Sequence, residues 1–335
     1  MPLSIDWTKL HGDFFKGARV LVTGGAGFIG SHLTEALVTL GAKVRVLDDL
    51  VGGSEKNLRA IGRAETVEFV QGSILDNALV QEACRDYRYV FHQAALGSVP
   101  ASMERPRVYV DVNVTGTLNV LEGARAAKVH RVMFAASSSA YGDAPTLPKI
   151  ETMPPAPLSP YAASKVAAEA LMSAYANSYG LDTVSLRYFN IFGPRQNANS
   201  AYAAVIAAFA AALLSDKAPV IFGDGEQSRD FTYVANAVHA NLLAARSDRP
   251  LGGAAMNVAC GARVTVNALA DAMARALGKT DLKPDRRPAR TGDVKHSLAD
   301  LTKVGALLGY KPIVDWQSGL TATLDWYAKE HANPA

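Results

Sequence analysis

Tyr161 and Lys165 stand four residues apart, and on a helix that spacing brings two side chains to one face. An ammonium beside a phenol favours the phenolate and draws its pKa down from about 10, which a tyrosine acting as a base requires. Alone, such spacing is common and most often marks a solvated helix face. Upstream, Ser137, Ser138 and Ser139 follow an apolar run. Hydroxyls at the end of a strand can hydrogen-bond a reacting hydroxyl, or can simply cap the turn into Tyr141-Gly142. A third group is Thr23-Gly24-Gly25-Ala26-Gly27-Phe28-Ile29-Gly30, with Gly24, Gly27 and Gly30 spaced three apart. Such glycines let a pyrophosphate approach the backbone, and a helix opening at Phe28 and Ile29 offers free N–H groups and its positive dipole end. Asp48, with Asp49 beside it, closes the next apolar run. A carboxylate there can accept ribose hydroxyls and repel a 2′-phosphate, so NAD is favoured over NADP. Nicotinamide, tyrosine, lysine and serines together suggest removal of a proton and a hydride from an alcohol carbon.

Elements must bring these groups together. From Arg19 onward, short apolar runs alternate with longer segments of helical period, the pattern of βαβ units on a parallel sheet. Strands are expected at 19–23, 43–48, 67–71, 89–93, 131–136 and 182–187, and helices at 28–40, 76–84, 111–127 and 160–179. The fold class expected is α/β, a doubly wound parallel Rossmann sheet whose strand carboxyl ends face the ligand crevice. After Tyr188, turn-rich pieces at 193–200, 223–228 and 283–292 separate shorter helices and a strand at 220–222. That change of texture suggests a smaller C-terminal α/β substrate lobe. The expected division is a short helical extension over 1–16, a dinucleotide-binding domain over 17–187 to which 232–258 returns, and a lobe from 188–231 and 259–335.

Composition excludes several classes. With 335 residues, 49% apolar and only 19% charged, the chain has ample core and too little charge to stay disordered. The longest apolar run, 201–214, is shorter than the roughly 20 residues of a membrane helix, so no membrane partner is expected. Asp6, Lys9 and Asp13 interrupt the first segment, which lacks the layout of a signal peptide, so a cytoplasmic location is expected. Cys84 and Cys260 supply neither a disulfide framework nor metal spacing; no metal is expected, and both read as small buried hydrophobes. The net charge of +3 comes from 34 basic residues interleaved with 31 acidic ones, which gives nucleic acid no footprint. Only 283–290 forms a basic cluster, readable as a solvated loop or as a phosphate clamp.

The glycine loop, the serines before Tyr141-Gly142, Tyr161-Ala-Ala-Ser-Lys165 and Leu186-Arg-Tyr-Phe-Asn190 together resemble the extended short-chain dehydrogenase/reductase superfamily. The resemblance runs from about Arg19 to the C-terminus. Within it the chain is similar to NAD-dependent nucleotide-sugar 4-epimerases, and most closely to bacterial UDP-N-acetylglucosamine 4-epimerases of surface-polysaccharide synthesis. The stretches that carry this are His92-Gln-Ala-Ala-Leu-Gly-Ser-Val-Pro100, Ala135-Ala-Ser-Ser-Ser-Ala-Tyr-Gly142, Gly223-Asp-Gly-Glu-Gln-Ser-Arg-Asp-Phe231 and Gly292-Asp-Val-Lys-His-Ser-Leu-Ala-Asp300.

The resemblance implies roles at matching positions. Tyr161 would take the proton of the sugar 4′-hydroxyl as hydride leaves C4′ for NAD, with Lys165 holding the phenolate and the nicotinamide ribose. Ser137, with Ser138 beside it, would bridge the hydroxyl. Gln93, Ala94 and Ala95 would border the cofactor, Ser73 and Ile74 the adenine, and Tyr188 the nicotinamide amide. Asn190, the strand Val220-Ile221-Phe222, Arg229, Arg290 and Asp293 would hold the uridine diphosphate, which recasts the basic cluster as a diphosphate clamp. Ser73 departs from the acidic residue common beside the adenine. A homodimer through an intersubunit four-helix bundle, built from 111–127 and 160–179, is also implied.

Ser297 marks the substrate. Epimerases limited to glucose and galactose carry a tyrosine at this position, and a serine leaves room for an acetamido group. Gly97, Ser98 and Ala204 are also small at matching pocket positions; the alternative for Ser297 is a small residue chosen for loop packing. A sugar 4,6-dehydratase would need an acidic pair where this chain has Ser138 and Ser139. A UDP-glucuronate 4-epimerase shares the serine stretch and the small gatekeeper. A non-catalytic dinucleotide sensor would be expected to lack Tyr161 or Lys165.

Overall fold

A computed structural model describes residues 3–61, 66–197, 204–289 and 294–332. Seven strands form the central sheet: β1 (Arg19–Thr23), β2 (Lys43–Asp48), β3 (Val67–Gln71), β4 (Tyr89–His92), β5 (Arg131–Ser137), β6 (Thr183–Tyr188) and a further strand, Ala254–Val258. All pair in parallel, in the order Ala254–Val258, β6, β5, β4, β1, β2, β3. Smaller strands follow β6: β7 (Ile191–Phe192), β8 (Val220–Phe222), β9 (Ser228–Asp230) and β10 (Thr232–Tyr233); the seventh sheet strand, Ala254–Val258, is β11, followed by β12 (Arg263–Thr265) and β13 (Asp285–Arg287).

The period of two fixes the layers. Val20 and Val22 join one core with Leu33, Leu37, Val238 and Met256, whereas Leu21 between them joins another with Val90, Val120, Phe134 and Met172. The strands are therefore apolar on both faces, as a sheet covered by helices on both sides requires. Phe28–Thr39 and Val234–Ala245 cover the first face; Asn77–Cys84, Gly116–Ala126 and Pro160–Tyr179 cover the second. Each large side chain buried this way contributes roughly 1.5–3 kcal/mol. A third core, with Phe192, Ile206, Phe209, Phe231, Leu269 and Tyr327, organises the smaller strands and helices after β6.

Sheet order reverses between β1 and β4, where Thr23 pairs with His92. The loops leaving these two strands diverge and open a crevice at the carboxyl edge. Sequence-expected strand ends move by one residue at β4, β5 and β6. The helix expected over 111–127 is divided instead, into the π-helical turn Asp111–Thr115 and the α-helix Gly116–Ala126, with Pro106–Val110 ahead of it. The first segment contributes the helix Trp7–His11 and buries Phe15 in the sheet core. Cys84 is buried, but Cys260 is not a plain hydrophobe: it is half-buried, and its Sγ accepts from Asn236 Nδ2 at 3.3 Å. Among the described residues, no helix is long and apolar enough to cross a membrane and no cluster of side chains suits a metal ion.

Candidate active site

The crevice is a cleft of about 790 Å³ along the carboxyl edge. At one end the turn after β1 enters the helix Phe28–Thr39. Gly24 has φ +70°, and a Cβ there would lie 2.5 Å from the Ala94 nitrogen; one on Gly30 would lie 2.0 Å from the Gly24 carbonyl oxygen. Both positions exclude any side chain. Gly27 begins the helix without a side-chain cap, and Gly27, Phe28, Ile29 and Gly30 all line the cleft. First-turn N–H groups and the positive dipole end therefore face it, a cradle suited to a pyrophosphate.

Asp48, at the end of β2, is buried and anchored: Oδ2 accepts from Ala26 N at 2.9 Å and Oδ1 from Leu50 N at 2.8 Å. Burial pushes its pKa up and the backbone bonds oppose that, while Asp49 beside it adds like charge. Both carboxylates line this end of the cleft, which suits ribose hydroxyls and opposes a phosphate. Gln93, Ala94 and Ala95 line the next stretch. Gln93, Tyr188 and Asn241 form a closed triangle: Tyr188 donates to Gln93 Oε1 at 3.1 Å, Asn241 Nδ2 to the Tyr188 hydroxyl at 2.5 Å, and Gln93 Nε2 to Asn241 Oδ1 at 3.2 Å. Gly72 and Ile74 line the cleft and Ser73 does not; the Ser73 hydroxyl accepts from Leu75 N at 3.3 Å.

Midway, the turn Ser138–Tyr141 and the helix Pro160–Tyr179 converge. Ser159 caps that helix, Pro160 opens it, and Gly180 in the left-handed region ends it. Tyr161 and Lys165 lie on one face and both line the cleft with Ser137, Ser138 and Ser139. Tyr161 is on the face toward the serines, Ser137 being the side chain that lowers its pKa, and Ser137 Oγ accepts from Ser139 Oγ at 2.8 Å. The expected coupling of phenol and ammonium is corrected here. Lys165 Nζ donates to the Ala135 carbonyl at 2.8 Å, and its pKa falls to about 7 through burial. Burial also pushes the Tyr161 pKa up, and Ser137, not Lys165, is the group that holds it down.

A buried network behind these residues was not signalled by the sequence. Asn113 accepts from Leu96 N at 2.9 Å, donates to Leu96 O at 3.1 Å and to Ser164 Oγ at 2.9 Å, and Ser164 donates to Tyr161 O at 2.8 Å. It ties the loop after β4 to the helix bearing Tyr161. Beside it, Thr117 donates to Asn113 O, so it accepts from His92 Nε2 at 2.9 Å, and His92 Nδ1 then accepts from Thr23 at 2.7 Å. Burial holds the His92 pKa down at about 3, which keeps it neutral.

Toward the smaller lobe, Gly97, Asn190, Arg229 and Ser297 line the main cleft, whereas Ala204, Val220, Ile221 and Phe222 line an adjoining cavity of about 270 Å³ that shares Asn190 and Arg229. Ser297 Oγ accepts from Asn190 Nδ2 at 3.2 Å and from Asp230 N at 3.4 Å. Ser98 is not a wall residue: its hydroxyl caps Val99–Glu104, accepting from Ala101 N at 3.2 Å. Within the basic cluster, Arg286 holds Asp224 O and Asn267 while Arg287 pairs with Asp285. Arg290 and Asp293 lie outside the described residues. Lys149 is a lining residue with no sequence signal. It is 1% exposed, its Nζ donates to the Ala144 carbonyl, and its backbone pairs with Leu298 and Asp300.

Such a sheet, phosphate cradle and tyrosine–serine–lysine group define a dinucleotide-dependent enzyme class. The profile of the NAD dependent epimerase/dehydratase family matches residues 20–259, and the chain belongs to that family. It is 38% identical over 92% of its length to UDP-glucose 4-epimerase of Mycolicibacterium smegmatis, covering 98% of that protein. Among solved structures it is similar to UDP-N-acetylglucosamine 4-epimerase of Methanobrevibacter ruminantium in complex with UDP-N-acetylmuramic acid, with TM-score 0.89, 40% identity and coverage of 94% and 99%. It also resembles the Thermus thermophilus UDP-glucose 4-epimerase complex with NAD, with TM-score 0.83, 39% identity and coverage of 92% and 98%.

Proposed function

We propose that this chain is a UDP-sugar 4-epimerase that interconverts UDP-N-acetylglucosamine and UDP-N-acetylgalactosamine, with UDP-glucose and UDP-galactose as further substrates. The observation that carries it is that Tyr161, Ser137 and Lys165 line one cleft together with the small residues Gly97 and Ser297.

The glycine loop, Asp48, Asp49 and Ile74 would hold the adenosine diphosphate half of NAD; Gln93, Ala94, Ala95, Lys165 and Tyr188 would hold the nicotinamide half. When bound there, NAD would supply a reversible hydride acceptor for C4′ of the sugar. Tyr161 takes the 4′-hydroxyl proton, with Ser137 and Ser138 orienting the hydroxyl, and gives it back to the 4-keto oxygen. Burial disfavours the charged forms of both Tyr161 and Lys165, and Ser137 is the side chain that favours the phenolate. Asn190, β8 and Arg229 grip the uridine diphosphate, joined by Arg290 and Asp293. Ser138 and Ser139 are alcohols where a 4,6-dehydratase would need an acidic pair to expel water.

Exposed Met103, Val108, Val110 and Leu118 on the helices Val99–Glu104, Pro106–Val110 and Gly116–Ala126 support a homodimer through helix packing. The location proposed is the cytoplasm. The test is to incubate purified protein, without added NAD, with UDP-N-acetylglucosamine, UDP-glucose and UDP-glucuronate separately and resolve the products. Formation of UDP-N-acetylgalactosamine supports the proposal. Turnover of UDP-glucuronate alone would transfer the assignment to a UDP-glucuronate 4-epimerase.

A further inference from the structure

Tyr161, Lys165 and Glu169 recur every four residues along Pro160–Tyr179 and so share a face. The first two belong to the cleft, and Glu169 does not. Its carboxylate is gripped at two points by Arg187 of β6, with Nε to Oε2 at 2.9 Å and Nη2 to Oε1 at 2.5 Å. The two side chains are 14% and 4% exposed. The same guanidinium lies over the Tyr141 ring, 4.7 Å from its centroid. Tyr141 ends the turn that begins at Ser137, and its hydroxyl donates to Asn257 Oδ1 of β11 at 2.6 Å. One buried side chain therefore touches both the helix that carries Tyr161 and Lys165 and the turn that carries the serines.

Stability is a weak reason for this arrangement. Desolvating an ion pair offsets much of its attraction, and apolar residues of similar volume often hold a fold as well. A planar fork that pairs at two points and stacks on a ring does something apolar packing does not, because it fixes the distance and angle between two elements. We infer that Arg187 is a positioning residue of the proton-transfer apparatus, setting through Glu169 and Tyr141 the separation of Tyr161 from Ser137. This rests on the roles proposed above for Tyr161 and Ser137.

Tyr161 is faced by Ser137 from the turn and by Tyr109 from Pro106–Val110, its ring 6.4 Å away, while Lys165 one turn along the same helix donates to the Ala135 carbonyl. Ser137 is the group that favours the phenolate, while burial and Tyr109 oppose it. When the turn slips from the helix, proton abstraction needs a higher pH.

The test uses Arg187→Lys, which keeps the charge but loses the fork and the stack, and Glu169→Gln, which keeps the shape. For Arg187→Lys, kcat should fall on the order of 10²-fold, the effect of about 1 Å of misplacement, with KM little changed. The acid limb of its kcat profile should move to higher pH, and Glu169→Gln should move both in the same direction by less. Variants with wild-type kcat and acid limb would overturn the inference whatever their melting temperatures. A crystal structure of Arg187→Lys needs no substrate: a lengthened Ser137–Tyr161 contact supports the inference, and an unchanged one overturns it even if the substrate assignment stands. Wild-type protein that turns over no UDP-sugar would instead refute the proposed function. If Arg187→Lys does not fold, Glu169→Gln carries both readouts.

Discussion

Ser297→Tyr should separate acetylated from non-acetylated sugars, and the structure shows why a control must accompany it. Ser297 is 8% exposed, and its hydroxyl accepts from Asn190 Nδ2 and Asp230 N. Replacement by tyrosine therefore does two things: it removes an anchor for Asn190 and places a ring where the C2 substituent is expected to lie. Losing the anchor costs about 1–2 kcal/mol, since Asn190 keeps its bond to Asp230 O. That loss is shared by both sugar pairs. Steric overlap with an acetamido group adds about 1–3 kcal/mol for that pair alone, roughly a 5- to 150-fold fall in kcat/KM. Ser297→Ala isolates the anchor because it opens space and removes only the acceptor. The assay is kcat/KM for UDP-N-acetylglucosamine and UDP-glucose in wild type, Ser297→Ala and Ser297→Tyr. Equal loss of both activities in Ser297→Tyr, matching Ser297→Ala, would refute the steric gate and leave Ser297 as a support for Asn190.

Tyr161→Phe should lower kcat on the order of 10²- to 10⁴-fold while calorimetric affinity for the UDP-sugar stays near wild type, because the lost hydroxyl acts on the transferred proton; an unchanged kcat would remove it from the mechanism. Denatured wild-type protein should release NAD or NADH and no NADP, because Asp48 and Asp49 oppose a 2′-phosphate at their end of the cleft; recovery of NADP would overturn that reading. His92, held down at about 3, contributes stability that is fully present above about pH 6.5 and is lost as pH falls towards 3. Its ring resonances should stay flat from pH 7 to 5 in NMR spectra, and an ordinary titration near 6.5 would show that the Thr23–His92–Thr117 chain is not closed.

Legibility followed the range of the forces. The sheet strands β1 to β6 were readable within one residue because each is a local apolar run, and Pro160–Tyr179 because Ser159, Pro160 and Gly180 mark its ends. β11 gave no such run: its Asn257 is polar, and the partners that justify it, Tyr141 and the Lys149 carbonyl, are more than a hundred residues away. The π-helical turn at Asp111–Thr115 is likewise set by tertiary bonds of Asn113. Within the site, residues that line the cleft through a motif were visible, whereas Asn113, Asn241, Lys149 and the Arg187–Glu169 pair were not. Their partners are distant in sequence, and a buried amide or lysine has no periodic signature. Spacing put Lys165 and Tyr161 on one helix face, both lining the cleft, but could not show that burial would lower the Lys165 pKa.

Isotope tracing at C4′ tests the chemistry most directly. UDP-N-acetylglucosamine carrying deuterium at C4′, incubated with the purified protein in ordinary water without added NAD, should yield UDP-N-acetylgalactosamine that retains the deuterium at C4′, because the hydride leaves and returns within the cleft. Loss of the label to water, or solvent hydrogen entering the ring, would contradict transient oxidation at C4′ with Tyr161 as the base.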